Sequence, residues 1–247
     1  MNRSLLEVLA CPLHQESGLV KSESFFTCSE CHKKYEIIKS ADGFEIPNFL
    51  SKDKNWDIGF RDIKSKILKS FNSEPFKTNI DNSKIVLDIG CGENARGNIN
   101  LDCYIPNNIP KNFVLANAEY LPFKKNSIDI VLSNYNIEHL INPAIFLQNV
   151  YYIAKEKIEI VTDNSEWFGD IVFRILGDGR IFHDEHNYKW SVEYFDNLIK
   201  RLGYKNSKVY LLNLSSNSLV KFLSLFGKIP RLGNLFYRDL KAEIWKQ

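Results

Sequence analysis

No stretch of about eighteen consecutive apolar residues, the length a helix needs to cross a bilayer, occurs in this chain of 247 residues. The opening "MNRSLLEVLAC" has only a short apolar run cut by Glu7, too weak for a secretory signal. Val8-Leu9-Ala10-Cys11 has the outline of a bacterial lipoprotein cleavage site, but Glu7 within the run and Pro12 after it argue against one. Strong charge of either sign is also lacking. The 32 Lys and Arg against 30 Asp and Glu leave a formal +2, without the basic footprint of a dedicated nucleic-acid-binding domain. No internal repeat or low-complexity segment occurs. What remains, 44% hydrophobic and 25% charged, describes a soluble globular protein with room for one full-sized domain and a small one. The cytoplasm is the expected compartment.

Cysteine is scarce and uneven. Five is an odd number, which does not suit a disulfide framework. Cys11, Cys28 and Cys31 fall near the start, and only Cys91 and Cys103 follow. "CPLH" (Cys11 to His14) and "CSEC" (Cys28 to Cys31) are two knuckles separated by thirteen residues. Such a pair closes a tetrahedral Cys3His zinc site, so Cys11, His14, Cys28 and Cys31 are the predicted ligands. His32 is a less well spaced alternative to His14, and a pair of reduced, metal-free turns is the bland one. A ribbon this small has little apolar core of its own, so the metal would supply much of its folding energy.

The text around the cysteines, "LLEVLACPLH" and then "FTCSECHKKYEIIKSADGFEIPNFL", resembles the zinc-ribbon family of small methyltransferase-activating subunits and the ribbons fused to methyltransferases. His14 stands where that family has cysteine, Tyr35-Glu36-Ile37 where it has Tyr-Pro-Ile, and Phe44-Glu45-Ile46-Pro47 carries an extra residue. The resemblance covers about fifty residues and implies a domain over 1–50. Residues 51–82 turn polar and lysine-rich, with Ile63, Ile67, Leu68 and Phe71 at helical spacing and Asn72, Ser73 and Pro75 as a stop. They read as a connecting helix without chemistry.

From residue 83 to 247 strand and helix signals alternate, which predicts a parallel sheet with covering helices. "KIVLDI", "INLD", "FVLAN", "SIDIVLSN" and "KIEIVT" read as successive strands. Pro143 opens a helix with Phe146, Leu147, Val150 and Ile153 on one face, and Ser191 caps another that ends at Gly203. "KVYLLNL" and "LKAEIW" add two strands. The main domain and the ribbon are expected to have separate cores.

Gly90-x-Gly92-x-x-Ala95 after the first of these strands fits a dinucleotide fingerprint. Asp88, however, would repel a pyrophosphate there, and the expected ribose acid about twenty residues on is missing; Asp102 comes twelve residues after Gly90. S-adenosylmethionine suits the loop better. It has no phosphate, its ammonium group is welcome beside Asp88, Gly90 and Gly92 allow close backbone approach, and Asp102 is placed to accept both ribose hydroxyls. A carboxylate that merely satisfies helix amides is the structural alternative for Asp88.

"LDIGCG", "INLD" ending in Asp102, "NAEYLPF", "SIDIVLSNYNIEHL" and "HDEHNYKWSVEYFDNLIKRLGY" together resemble the class I S-adenosylmethionine-dependent methyltransferases of small-molecule type, over residues 83 to about 210. The resemblance implies an α/β fold, a doubly wound, mostly parallel seven-stranded sheet of Rossmann-like kind, with the cofactor at the carboxyl ends of its strands. It adds Asn117, Ala118 and Asn134 to Asp88, Gly90, Gly92 and Asp102 as cofactor contacts. Asn117 stands where aspartate usually faces adenine, and its amide oxygen still accepts a hydrogen bond. Two further departures are a first crossover too short for more than one helical turn and no glycine pair before the fifth strand. Ser133-Asn134-Tyr135-Asn136 also replaces the Asn/Asp-Pro-Pro-Tyr signature of amide and base methylation.

On the acceptor side His139, His183 and His186 are candidate bases, with packing or loop roles as their alternatives. Tyr135 is a candidate to face the sulfonium, or a core tyrosine. "SLVKFLSLFGKIPRLGNLF" (Ser218 to Phe236) reads as lid, core helix or interfacial helix making weak membrane-surface contact. The acceptor is expected to be a small molecule, glycan or lipid intermediate carrying a hydroxyl. An RNA or protein of translation is the alternative, and a non-catalytic binding subunit a second.

Overall fold

The structure, a computed structural model, describes residues 3–50, 83–168, 186–214 and 233–246. The connecting helix expected over 51–82, His183, and most of the Ser218–Phe236 segment lie outside the described residues.

At the N-terminus a short helix α1 (Arg3–Val8) leads into a four-stranded antiparallel sheet of β1 (Leu19–Lys21), β2 (Phe25–Cys28), β3 (Lys34–Lys39) and β4 (Glu45–Pro47), in that order. Its alternation is that of a sheet covered on one face. Tyr35 and Ile37 of β3 are buried, while Lys34 and Glu36 between them are exposed.

The second sheet has seven strands: β5 (Val86–Ile89), β6 (Ile99–Asp102), β7 (Phe113–Leu115), β8 (Ile128–Asn134), β9 (Ala154–Asp163), β10 (Ser207–Leu214) and β11 (Tyr237–Trp245). Their order is β10-β11-β9-β8-β5-β6-β7, with every pairing parallel except the two made by β11. Each strand lies on the expected segment. β5, β6 and β7 are buried throughout, as strands covered on both faces must be. The chain runs outward from β5 through β6 to β7, then returns to β8 on β5's other side. That reversal puts a topological switch point at the carboxyl ends of β5 and β8, where open parallel sheets form their ligand crevice.

Both expected helices are present. α2 (Pro143–Ile153) starts on its proline and buries Phe146, Leu147, Val150 and Ile153. The buried carboxylate of Glu119 accepts the Ile141 and Asn142 amides (2.8 and 2.9 Å) at its start, an acid placed where the helix dipole favours it. α3 (Val192–Arg201) is capped by Ser191, whose hydroxyl accepts from the Tyr194 amide, and Gly203 follows it at φ 88°. The missing glycine pair is explained. β9 begins at Ala154 directly after α2 ends at Ile153, so no turn is left that needs glycine. In the first crossover no helical turn forms; a turn closed by the Asn94 amide on the Cys91 carbonyl (3.2 Å) takes its place.

The expectation of separate cores is corrected. The Ala10 amide donates to the Pro122 carbonyl (2.9 Å), the Lys124 amide to Val8 (2.9 Å), and the Phe49 amide to Leu115 (2.8 Å). One apolar cluster runs without a break from Leu5, Leu9, Phe26, Tyr35 and Phe49 of the N-terminal unit to Leu87, Phe123 and Val131 of the main sheet. Short strands with one apolar face cannot close over that face alone. Phe123, fully buried and bridged to Leu9, joins the two. We expect Phe123→Ala to destabilise the protein by about 3–5 kcal/mol. Amide hydrogen exchange should accelerate in β2 and β3 as well as in β5 and β8; acceleration confined to the main sheet would restore separate cores.

Candidate active site

The loop after β5 depends on three glycines. Gly90 sits at φ 72°, and a Cβ there would lie 2.8 Å from the Asn136 side chain. Gly92, at φ 51°, has room, its nearest neighbour being the Tyr104 hydroxyl at 3.5 Å. Gly97, which sequence reasoning passed over, is the most constrained: a Cβ would fall 2.3 Å from the Ile99 carbonyl and 2.7 Å from that of Val86. Its signal was its place at the head of "GNINLD". Asn98 and Asn100 then supply the polar contacts a crossover helix would have made. Asn98 accepts the Val86 amide (2.9 Å), and the Asn100 amide group donates to the carbonyls of Gly97 and Lys111 (both 3.1 Å).

Asp88 is fully buried and already carries a cation. Arg96 donates from Nη2 to Oδ1 at 2.6 Å and from Nε to Oδ2 at 3.2 Å, and its amide adds a third bond at 2.9 Å. Burial pushes the Asp88 carboxyl up, and Arg96 opposes that shift. The expectation that Asp88 meets the cofactor's ammonium group directly is therefore replaced, because its oxygens are held by Arg96, which sequence reasoning did not supply. Asp102 ends β6 with Oδ2 accepting the Gly92 amide (2.9 Å) and Oδ1 the Cys103 amide (2.7 Å). Burial raises its carboxyl too, against these amides. The Tyr104 amide and the Cys103 side chain also bond to this carboxylate. The Asn117 side-chain oxygen accepts the Glu119 amide (2.9 Å), and Ala118 is buried next to it. Asn134, half-buried, closes β8 beside Ser133, whose hydroxyl donates to the Ile89 carbonyl (3.1 Å). A glycine turn with an acid at the end of β6, and with its one described loop cation, Arg96, already bound to Asp88, fits S-adenosylmethionine better than a pyrophosphate.

Past β8 the chain strains. Tyr135 takes φ 49°, unusual for a bulky residue and characteristic of functional turns. Its hydroxyl is buried against the Asp239 carboxylate without a well-formed hydrogen bond, and burial, then Asp239, raise it. Tyr135 is thus a turn residue, half-buried beside β11. A 3-10 turn, Ile137–His139, follows. The 186–190 segment docks on it, the Asn187 and Tyr188 amides donating to the Glu138 carbonyl (2.8 and 3.1 Å) and the Asn187 side chain to that of His139 (2.7 Å). This brings His186 edge-on to His139, with ring centroids 4.5 Å apart. Between them lies Glu138, missed by sequence reasoning, only 1% exposed and pushed up to about 8 by burial, then by Asp163 and Asp239.

In the N-terminal unit Cys11 Sγ lies 3.9 Å from His14 Nδ1 and 4.0 Å from Cys31 Sγ, and Cys28 Sγ lies 3.9 Å from His14 Nδ1. Metal bonds of about 2.3 Å to sulfur and 2.0–2.1 Å to nitrogen make a tetrahedron with edges of roughly 3.6–3.8 Å, so the four groups stand about one edge apart. Burial would raise the Cys28 thiol, but the Cys31 and Glu30 amides outweigh it and bring it to about 7. His32, at φ 57°, is outside the cluster.

Comparison with known proteins agrees with this geometry. Residues 95–158 match the methyltransferase domain family, from the loop before β6 into β9. An uncharacterized protein of Methanocaldococcus jannaschii is 30% identical over 182 residues, covering 68% of this chain and 74% of that one. The chain belongs to one family with that archaeal protein, and its residues 95–158 carry a methyltransferase domain. Solved structures similar to it include a methyltransferase of Archaeoglobus fulgidus (19% identical, 65% of this chain and 85% of that one, TM-score 0.46). Another is a possible histamine N-methyltransferase of Thermotoga maritima (17%, 66% and 83%, TM-score 0.47).

The Asp88–Arg96 pair yields a test by chemical denaturation. Arg96→Met leaves a buried, uncompensated carboxylate and should cost about 3–5 kcal/mol at neutral pH. Without Arg96 the folded pKa of Asp88 rises further above its unfolded value, so the folded state binds the extra proton and the deficit should shrink as pH falls. A deficit independent of pH would show that the pair is not what holds the loop.

Proposed function

We propose that the protein methylates a hydroxyl group of a small-molecule, glycan or lipid intermediate. One observation carries the reading. The short stretch Asn134–His139 reaches from the glycine loop, where Asn136 packs on Gly90, to the cluster in which His139 meets His186, so donor and acceptor groups share one crevice.

S-adenosylmethionine supplies, when bound, an electrophilic methyl carbon on a sulfonium. The chain's own residues hold and align. Asp102 accepts the ribose hydroxyls, Gly90 and Gly92 form the turn the ligand lies along, Asn117 and Ala118 line the adenine, and Asn134 lies at the methionyl end. Asp88 acts through Arg96, keeping the loop open. His139 and His186 engage the acceptor, His139 nearer the transferring methyl, and most of the rate comes from alignment in a dry site. Residues 1–50 form a ribbon in which Cys11, His14, Cys28 and Cys31 bind one zinc, residues 51–82 connect it, and 83–247 form the catalytic domain. Thiolate zinc sites of this kind suit a reducing compartment, which favours the cytoplasm.

Calorimetric titration with S-adenosylhomocysteine tests the donor site. Asp102→Ala removes two charge-assisted bonds of about 1.5–3 kcal/mol each and should weaken binding at least tenfold; unchanged affinity would overturn the ribose assignment, and tight NADH binding the choice of cofactor. Label from radioactive S-adenosylmethionine in a lysate should appear in small organic-soluble material. Label in RNA or protein would favour a translation component instead. For the ribbon, elemental analysis should find one zinc per chain, absent in Cys28→Ser, and that variant should melt earlier as a whole because the core is shared.

A further inference from the structure

Glu138, His139 and His186 come together by tertiary packing, each offering a ligand atom within 4.8 Å of the others. Two histidines and an acid on a crevice wall are common enough without an ion, so the state of Glu138 decides the matter. Its Oε2 accepts the Thr162 hydroxyl (3.0 Å), while its Oε1 is buried with no hydrogen-bond partner among the described residues. A carboxyl oxygen left bare inside a protein is costly unless a cation or another polar group reaches it. Nearby charge deepens the deficit. Asp163 and Asp239 both act on Glu138. His186 holds Nδ1 3.9 Å from the Asp163 carboxylate, an ion-pair separation longer than a hydrogen bond.

We propose that Glu138, His139 and His186 bind a divalent transition-metal cation on the acceptor side of the crevice. Bonds of about 2.0–2.2 Å place neighbouring ligand atoms roughly 3–3.5 Å apart, a contraction within the reach of imidazole rotation. Two nitrogens and one carboxylate oxygen select manganese, iron, cobalt or zinc over magnesium and calcium. They also leave coordination positions open, which is what separates a working site from a closed structural one. In the open positions an acceptor hydroxyl binds through oxygen, is fixed in direction, and loses its proton to water more readily. That role rests on the hydroxyl-methylation reading above; the cation site itself does not. The two metal sites of the chain are told apart by softness. Three thiolates and an imidazole near the N-terminus take zinc and discriminate against manganese, which oxygen and imidazole donors accept.

The test uses the full chain already loaded with zinc. Manganese(II) is titrated in and its unbound fraction read by electron paramagnetic resonance. One manganese should bind per chain, and His186→Ala and Glu138→Gln should each weaken it at least about tenfold. S-adenosylhomocysteine affinity, measured on the same samples, reports whether each variant is folded. Should Glu138→Gln fail to fold, His186→Ala, on a more exposed loop, still decides. A wild-type protein that binds S-adenosylhomocysteine but no manganese overturns the site, as does a folded His186→Ala that binds manganese as tightly as wild type. Manganese bound without any S-adenosylhomocysteine affinity would support the site and overturn the donor reading instead.

Discussion

The crossover from β5 to β6 is the constraint on which the crevice depends. Nine residues, 90–98, separate the two strands, too few for the covering helix that parallel neighbours usually receive. Every buried amide in that span must find another partner. Asp88 and Arg96 supply the central pair, Asn98 and Asn100 bind the flanking backbone, and Gly97 is the one residue small enough to pass between β5 and β6. The result is a cradle of backbone and buried carboxylates rather than a helix N-terminus. A helix N-terminus would favour phosphate; this cradle favours a ligand without one.

On the other side of the switch point the chain leaves β8 through a left-handed Tyr135 and turns at once. That turn packs Asn136 on Gly90 and leads at once into Glu138 and His139, which gather with His186. The 186–190 segment joins them from a distant part of the chain, held by bonds to the backbone of Glu138 and His139. Any chemistry of that cluster therefore depends on contacts 48 residues apart in sequence.

The ribbon is less a separate module than a wall of the main core. Leu9 reaches Phe123, and Phe49 pairs with Leu115 of the edge strand β7. Covering an edge in this way removes a row of unpaired backbone groups that would otherwise invite a second chain. It also couples the Cys3His cluster to the strand that neighbours β6 and Asp102.

Much of this was legible beforehand, because periodicity and turn chemistry act locally. All seven strands of the main sheet, both helices with Pro143 and Ser191 at their starts, and the two knuckles Cys11–His14 and Cys28–Cys31 follow from residues close in sequence, where spacing alone fixes which side chains face together. The partners of buried charges do not follow in that way. Arg96 on Asp88, Glu119 on the amides before α2, Glu138 between two histidines, and the shared core of ribbon and sheet arise where distant segments meet. A carboxylate's neighbours in space, and so its charge and its use, are set by packing. Sequence by itself determined the class of fold and the glycine turn at the end of β5; tertiary structure decided which acids are already taken, because only folding brings the compensating cation, amide or imidazole within hydrogen-bonding range.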